Sequence, residues 1–235
     1  MKRSFSRNCF AEALALALLF SCSTRSVLAA TISWSNAPSS SNWNTATSWA
    51  GGVVPVAGSV LQFSNSSVTN LFNNITAGTS FAGISFTTNA SIYFFSGNSI
   101  VLTGGITNSG ANLQTINLAI STTANQTIST SAGGGNITLG GIISGAGGGI
   151  TAAGNGTTTL TAINTFTGAT AINAGSTLQI NGAGQLGSGN YAAAITNNGA
   201  LIEGSSANQT VSGILSGTGS LVQSGTGTLT LSGTN

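Results

Sequence analysis

The 235-residue chain contains no histidine and no aspartate, and only four basic and two acidic side chains. Where these charges lie matters more than how many there are. Lys2, Arg3, Arg7, Glu12 and Arg25, together with both cysteines, Cys9 and Cys22, fall within residues 1–30. Residues 31–235 therefore hold one carboxylate, Glu203, and neither a basic side chain nor a thiol. Each absence excludes something. Without thiols there are no disulfides, so stability must come from packing and hydrogen bonding. Without Lys and Arg there is no electrostatic footprint for nucleic acid or for anionic lipid. Zinc needs Cys, His or carboxylate ligands and the calcium-binding β-roll needs Asp, so no metal and no cofactor is expected.

The same shortage bears on catalysis. Glycoside cleavage by the two-carboxylate route cannot run on one carboxylate. No His or Lys is present to activate a serine nucleophile. No catalytic residue is assigned, and the chain is expected not to be an enzyme. Glu203, beside Gly204 and Ser205, is expected on a solvated turn. Gly145-Ala146-Gly147-Gly148-Gly149 and Gly182-Ala183-Gly184 have the outline of nucleotide-binding loops, but neither a helix nor a Lys follows, so they read as turns.

Residues 1–30 have the order of a secretory signal. Basic residues come first, an apolar run from Ala13 to Phe20 follows, and Val27-Leu28-Ala29-Ala30 offers small residues for cleavage after Ala29 or Ala30. The apolar run is shorter than the ~20 residues a membrane-spanning helix needs. Leu19-Phe20-Ser21-Cys22 has the outline of a lipoprotein box, but Phe20 fits its middle position poorly, so Cys22 is expected to leave with the signal. The mature chain is then expected to be exported, secreted or held at a bacterial cell surface or outer membrane, with no transmembrane segment of its own.

What remains is rich in Gly, Ser, Thr, Asn and Ala, with Ile, Leu, Val and Phe recurring throughout. Ile84-Ser85-Phe86-Thr87, Ser99-Ile100-Val101-Leu102-Thr103, Asn136-Ile137-Thr138-Leu139, Thr177-Leu178-Gln179-Ile180 and Gly227-Thr228-Leu229-Thr230-Leu231 alternate apolar and polar residues with period two. That is the strand period with one face inward. Gly-rich breaks such as Gly133-Gly134-Gly135 and Asn197-Asn198-Gly199 supply corner residues. No helical period appears after the signal.

The sequence also repeats itself. Gly154–Asn164 matches Gly225–Asn235 without gaps. Ile142–Gly147 matches Ile214–Gly219, Ile106–Ala111 matches Ile195–Ala200, and Asn125–Ser129 matches Asn208–Ser212. Self-similarity of short β units predicts a solenoid of about eight to ten coils with roughly 20–25 residues each. Stacked like charges would repel at the strand spacing of about 4.8 Å, whereas Thr, Ser, Asn and Gln stack without that cost.

Gly225-Thr226-Gly227-Thr228-Leu229-Thr230-Leu231-Ser232-Gly233-Thr234-Asn235 resembles the core of the autotransporter-associated β-strand repeat, also called the passenger-associated transport repeat. Asn164–Leu178 resembles its second half. The stretch holding Trp34, Trp43 and Trp49 and running into Gly51-Gly52-Val53-Val54-Pro55 is similar to the segment that often precedes such repeats. The resemblance implies a right-handed parallel β-helix passenger of the pectin-lyase-like kind, exported to the surface or secreted. Ala152-Ala153 and Ala162-Ile163 depart from the pattern, so the earlier repeat is degenerate. Nothing resembles a translocator barrel with its many amphipathic strands of about 10 residues, so the sequence is expected to be a fragment, a truncated gene product, or a passenger module whose secretion element lies elsewhere.

The expected organisation is a signal at 1–30, an N-terminal cap segment at 31–60, and an all-β solenoid at 61–235, with recognisable repeats at about 142–190 and 213–235, the last one incomplete. The expected function is that of a structural passenger or stalk, serving adhesion or display. A carbohydrate- or ice-binding solenoid is the alternative, with Trp34, Trp43 and Trp49 as candidates for stacking on a ligand, although the three are read first as a hydrophobic cap on the end coil; a polysaccharide-degrading enzyme ranks below both. A polysaccharide or another surface ligand is the expected kind of partner. Self-association through β edges is expected as well.

Overall fold

The structure is a computed structural model that describes residues 29–131 and 135–235. All of the expected signal except Ala29 and Ala30, the lipoprotein-box Cys22, and most of the 133–135 glycine break lie outside the described residues.

Period-two patterning becomes a stack of short parallel strands winding in about eight turns. Three faces make each turn. The first face has nine strands, running in chain order from Thr31–Ser33 through Val60–Phe63, Gly83–Phe86, Ile106–Asn108, Gln126–Thr130, Ile150–Gly154, Thr170–Ile172 and Ile195–Asn197 to Leu215–Ser216. The second face has eight, from Asn70–Asn73 to Ser220–Gln223. The third face is split into a four-stranded and a three-stranded sheet. After the first coil the length per turn changes little, as the register partners show: Ile84 pairs with Ile106, Ile106 with Ile128, Ile150 with Thr170 and Thr170 with Ile195. All five alternating segments contain a strand of the stack. Among the described residues helix is limited to two three-residue 3-10 turns, Ala46–Ser48 and Gly187–Gly189.

Parallel in-register pairing turns the alternate inward residues into columns. On the first face Leu61, Ile84, Ile106, Ile128, Ala152 and Ile172 stack in line. On the second, Leu71, Phe95, Ile116, Leu139, Leu160 and Ile180 do the same. A coil this small buries nothing alone; each column is covered only by its neighbours above and below, so burial is a property of the stack. The core changes along the axis. Phe63, Phe81, Phe86, Tyr93 and Phe95 fill the first coils with rings, Phe63 and Phe95 lying 4.7 Å apart. From Ile100 onward the filling is mainly Ile and Leu, interrupted by the edge-on pair Phe166 and Tyr191.

Polar side chains that point inward close the corners. Asn73 accepts the Ile75 N–H and donates to the Asn98 carbonyl one coil on. Asn108 accepts the Gly110 N–H and donates to the Asn112 and Asn136 carbonyls. Asn197 accepts from the Gly199 N–H and donates to the Ser220 carbonyl. An amide is suited to this place because it carries a donor and an acceptor on one rigid group, and a buried corner offers both kinds of unpaired backbone atom. The split in the third face uses the same device. Asn164 Oδ1 accepts the Ile143 N–H at 2.9 Å, and Gln209 accepts the Leu186 N–H and donates back to the Leu186 carbonyl. Two side-chain amides thus stand in for ladder bonds where the chain leaves the strand path.

The internal matches read from the sequence do not all fall on one face. Ile106–Ala111 and Ile195–Ala200 both begin on first-face strands. Ile150–Gly154 lies on the first face, whereas the stretch that precedes the matching copy, 221–225, runs along the second. Likewise Thr157–Leu160 is a second-face strand and Leu229–Leu231 a third-face strand. The physical reason is that each face makes the same local demand, namely alternation along a strand followed by a glycine corner. The repeated motif encodes strand, corner and strand, not a fixed position in the coil.

Candidate functional site

The three tryptophans form one cluster over the first coils. Trp34 and Trp49 meet edge-on at 4.9 Å, Trp49 and Trp43 at 6.1 Å, and Trp43 and Phe95 at 5.3 Å. The 3-10 turn Ala46–Ser48 and an isolated antiparallel bridge between Trp34 and Trp49 fold this segment back on itself. Trp49 Nε1 donates to the Trp43 carbonyl at 2.7 Å and Trp34 Nε1 to the Val68 carbonyl at 3.3 Å. Exposure is 2%, 0% and 2% for Trp34, Trp43 and Trp49, so none presents a ring face to solvent. The expectation that they stack on a ligand is corrected here: the indoles are spent on the aromatic core. Trp43 Nε1 is buried without a hydrogen-bond acceptor, the one such side-chain atom among the described residues.

The large exposed apolar groups are others. Phe72 and Phe94 lie on the outer side of the second face, 45% and 41% exposed. The outward column through Asn70 and Phe94 continues as Thr115, Thr138 and Thr159, then Gln179 and Ile202. Ile92 and Leu113, each two residues ahead of the paired Phe94 and Thr115, are exposed as well. This is a flat, uncharged surface with two phenyl rings at one end and a threonine ladder beyond. A shallow groove of about 230 Å³ opens at the split in the third face, lined by Thr165, Phe166, Thr167, Ser188 and Tyr191 among others. Its tyrosine is committed to structure: Tyr191 Oη pairs with Thr170 Oγ1 and donates to the Gly168 carbonyl, and burial pushes its pKa up to about 12.

Glu203 is not on a solvated turn. It sits in the strand Ala200–Ser205, 4% exposed, on the inward column directly after Ile180. Local sequence misled because Gly204 and Ser205 read as turn residues, whereas here they continue the strand. Burial raises the carboxyl pKa to about 7, and the Ser205 N–H donated to Glu203 Oε1 at 3.3 Å pulls weakly the other way. Among the described residues there is no cluster of three or more His, Cys, Asp or Glu able to hold a metal, and no helix long and apolar enough to cross a membrane.

These features define a parallel β-solenoid whose described exterior is uncharged, polar over most columns and apolar at Phe72, Ile92, Phe94 and Leu113. The family model of the passenger-associated-transport-repeat matches residues 150–180 and 221–235, so the chain carries the autotransporter-associated repeat that its sequence resembles. The first match covers the strands Ile150–Gly154 and Thr157–Leu160, the third-face split and the strands of the following coil. No curated protein and no solved structure matches the chain.

Proposed function

We propose that the chain is the structural repeat region of an exported, autotransporter-type passenger: a rod that holds its shape by stacking and performs no catalysis. The carrying observation is that the family-matched segments are strand–corner–strand units of one continuous parallel stack, whose outward columns are uncharged. On this reading residues 1–30 are removed, the coil winds right-handed in the pectin-lyase-like manner favoured by parallel crossovers, and the tryptophan-bearing segment caps the first coil. Solenoid ends need such covers because a bare coil exposes core and strand edge. Self-association through β edges belongs to the same reading. The test is fractionation of cells expressing the full chain, with N-terminal sequencing of the product. Outer-surface or medium location with a new terminus at Ala30 or Thr31 is expected. Accumulation of uncleaved chain in the cytoplasm would refute the export reading.

A second reading, adhesion to a neutral polysaccharide, is favoured by one observation: Phe72 and Phe94 expose their rings beside amide and hydroxyl side chains on a flat face. Aromatic faces pack against the C–H faces of sugars, and uncharged hydroxyl ladders suit an uncharged polymer. Retention on insoluble glucan or chitin that drops at least tenfold in Phe72→Ala/Phe94→Ala, with the fold intact, supports it. Equal retention of wild type and double variant removes it.

A further inference from the structure

The chain holds three Asn-Gly pairs, Asn155-Gly156, Asn181-Gly182 and Asn198-Gly199. In such a pair the backbone nitrogen after the asparagine can attack the side-chain amide, because the following glycine has no Cβ to shield it. All three asparagines are exposed. What separates them is the partner of each glycine N–H.

Two of the three nitrogens are held away from their own asparagine. Gly156 is buried, and its N–H donates to Thr130 Oγ1 in the preceding coil at 2.7 Å. The Gly199 N–H donates to Asn197 Oδ1 at 3.2 Å, while the Asn198 amide is engaged elsewhere, its Oδ1 accepting the Thr218 N–H at 3.3 Å. The third pair is the reverse case. The Gly182 N–H donates to Oδ1 of Asn181 itself at 2.9 Å. That bond draws the nitrogen up to the amide carbon it must attack. Gly182 is exposed, at φ +63°, with open space where a Cβ would stand. At the end of the strand Thr177–Gly182 the reacting groups therefore meet, and solvent reaches them.

We propose that Asn181 is a self-modification site, converted to aspartate and isoaspartate in the folded rod by attack of the Gly182 nitrogen. The only co-reactant is water. The Gly182 nitrogen gives its proton to solvent base and bonds to Asn181 Cγ. The Cγ–Nδ2 bond breaks, and ammonia leaves behind a succinimide. Water then adds to one of the two imide carbonyls. Opening at the side-chain carbonyl leaves aspartate, and opening at the backbone carbonyl leaves isoaspartate; nothing is oxidised or reduced. Either product carries a carboxylate at the register position beside Gly204 of the next coil. Residues 31–235 offer no Lys, Arg or His to pair with it. The uncharged exterior thus acquires, with age, a negative charge that the sequence does not encode.

The full chain held at pH 8, folded and in parallel unfolded in urea, tests this. Chymotrypsin cuts after Leu160, Leu178, Leu186 and Tyr191 put the three pairs on separate peptides. Mass spectrometry, with the aspartate and isoaspartate forms resolved, follows each conversion. In the folded chain Asn181 is expected to convert at least about tenfold faster than Asn155 and Asn198, because the orientation of the reacting groups sets the rate. In urea the three are expected to converge. Asn181→Gln, whose longer side chain cannot close the same ring, is expected to lose the main acidic species that anion exchange resolves from aged wild type. A smaller ratio in the folded chain overturns the proposal. So does a ratio that persists unchanged in urea, or an acidic species undiminished in Asn181→Gln.

Discussion

Phenylalanine exchanged singly for Trp43 and for Trp49 makes the same chemical change in opposite hydrogen-bonding circumstances. Both indoles are buried, and both substitutions remove one ring's worth of packing, about 1–2 kcal/mol each. Trp49→Phe also deletes the 2.7 Å bond to the Trp43 carbonyl and leaves that carbonyl buried, adding about 1–3 kcal/mol. Trp43→Phe removes an indole N–H that has no acceptor, which returns a desolvation cost of about 1–3 kcal/mol. The net expectation is a loss of roughly 2–5 kcal/mol for Trp49→Phe and a change near zero for Trp43→Phe. Urea unfolding followed by far-UV dichroism supplies the global figure. Amide exchange across residues 31–63 supplies the local one, since a solenoid need not unfold as one unit. Equal losses, or a greater loss for Trp43→Phe, would show that the Trp43 N–H is satisfied and that the reasoning from its burial is wrong.

Other outcomes follow from single contacts. Asn108→Ala strips one acceptor and two donors from a fully buried corner and orphans the Gly110 N–H; a loss of about 2–4 kcal/mol is expected in denaturant titration. A loss below about 0.5 kcal/mol would mean that water fills the corner. Gly154→Ala asks an L-residue to hold φ +88° with its Cβ overlapping the Thr130 carbonyl oxygen, and should cost more than about 1 kcal/mol while leaving the strand content unchanged. Double substitution of Phe72 and Phe94 by Ala should cost about 1–3 kcal/mol in urea unfolding while leaving the far-UV dichroism unchanged, because each ring sits on a strand and is still more than half covered.

Much of the fold was legible locally. Strand positions such as Ile84–Phe86 and Leu229–Leu231 follow from alternation, and the coil length lies in the range expected of solenoid repeats. The site residues were less so. For Trp34, Trp43 and Trp49 the need of a solenoid end for a cover favours buried rings over exposed ones, but only their neighbours decide it: Phe63, Phe81 and Phe95, distant in sequence, pack against them. The exposed rings of Phe72 and Phe94 had a signal in Leu71-Phe72-Asn73 and Phe94-Phe95, where alternation forces one of two adjacent apolar residues outward. Which one points outward depends on register, and register is a tertiary fact.

The sequence by itself determined that this protein is built of short strands and tight corners, that like side chains can stack without charge repulsion, and that catalytic groups are scarce. Those conclusions rest on composition and period, which are local. Tertiary structure alone decided which face each repeat occupies, because the three faces impose one pattern and only the cumulative path of the chain tells them apart. It also decided the place of Glu203, because whether Gly204 and Ser205 turn or extend depends on the coils stacked on either side.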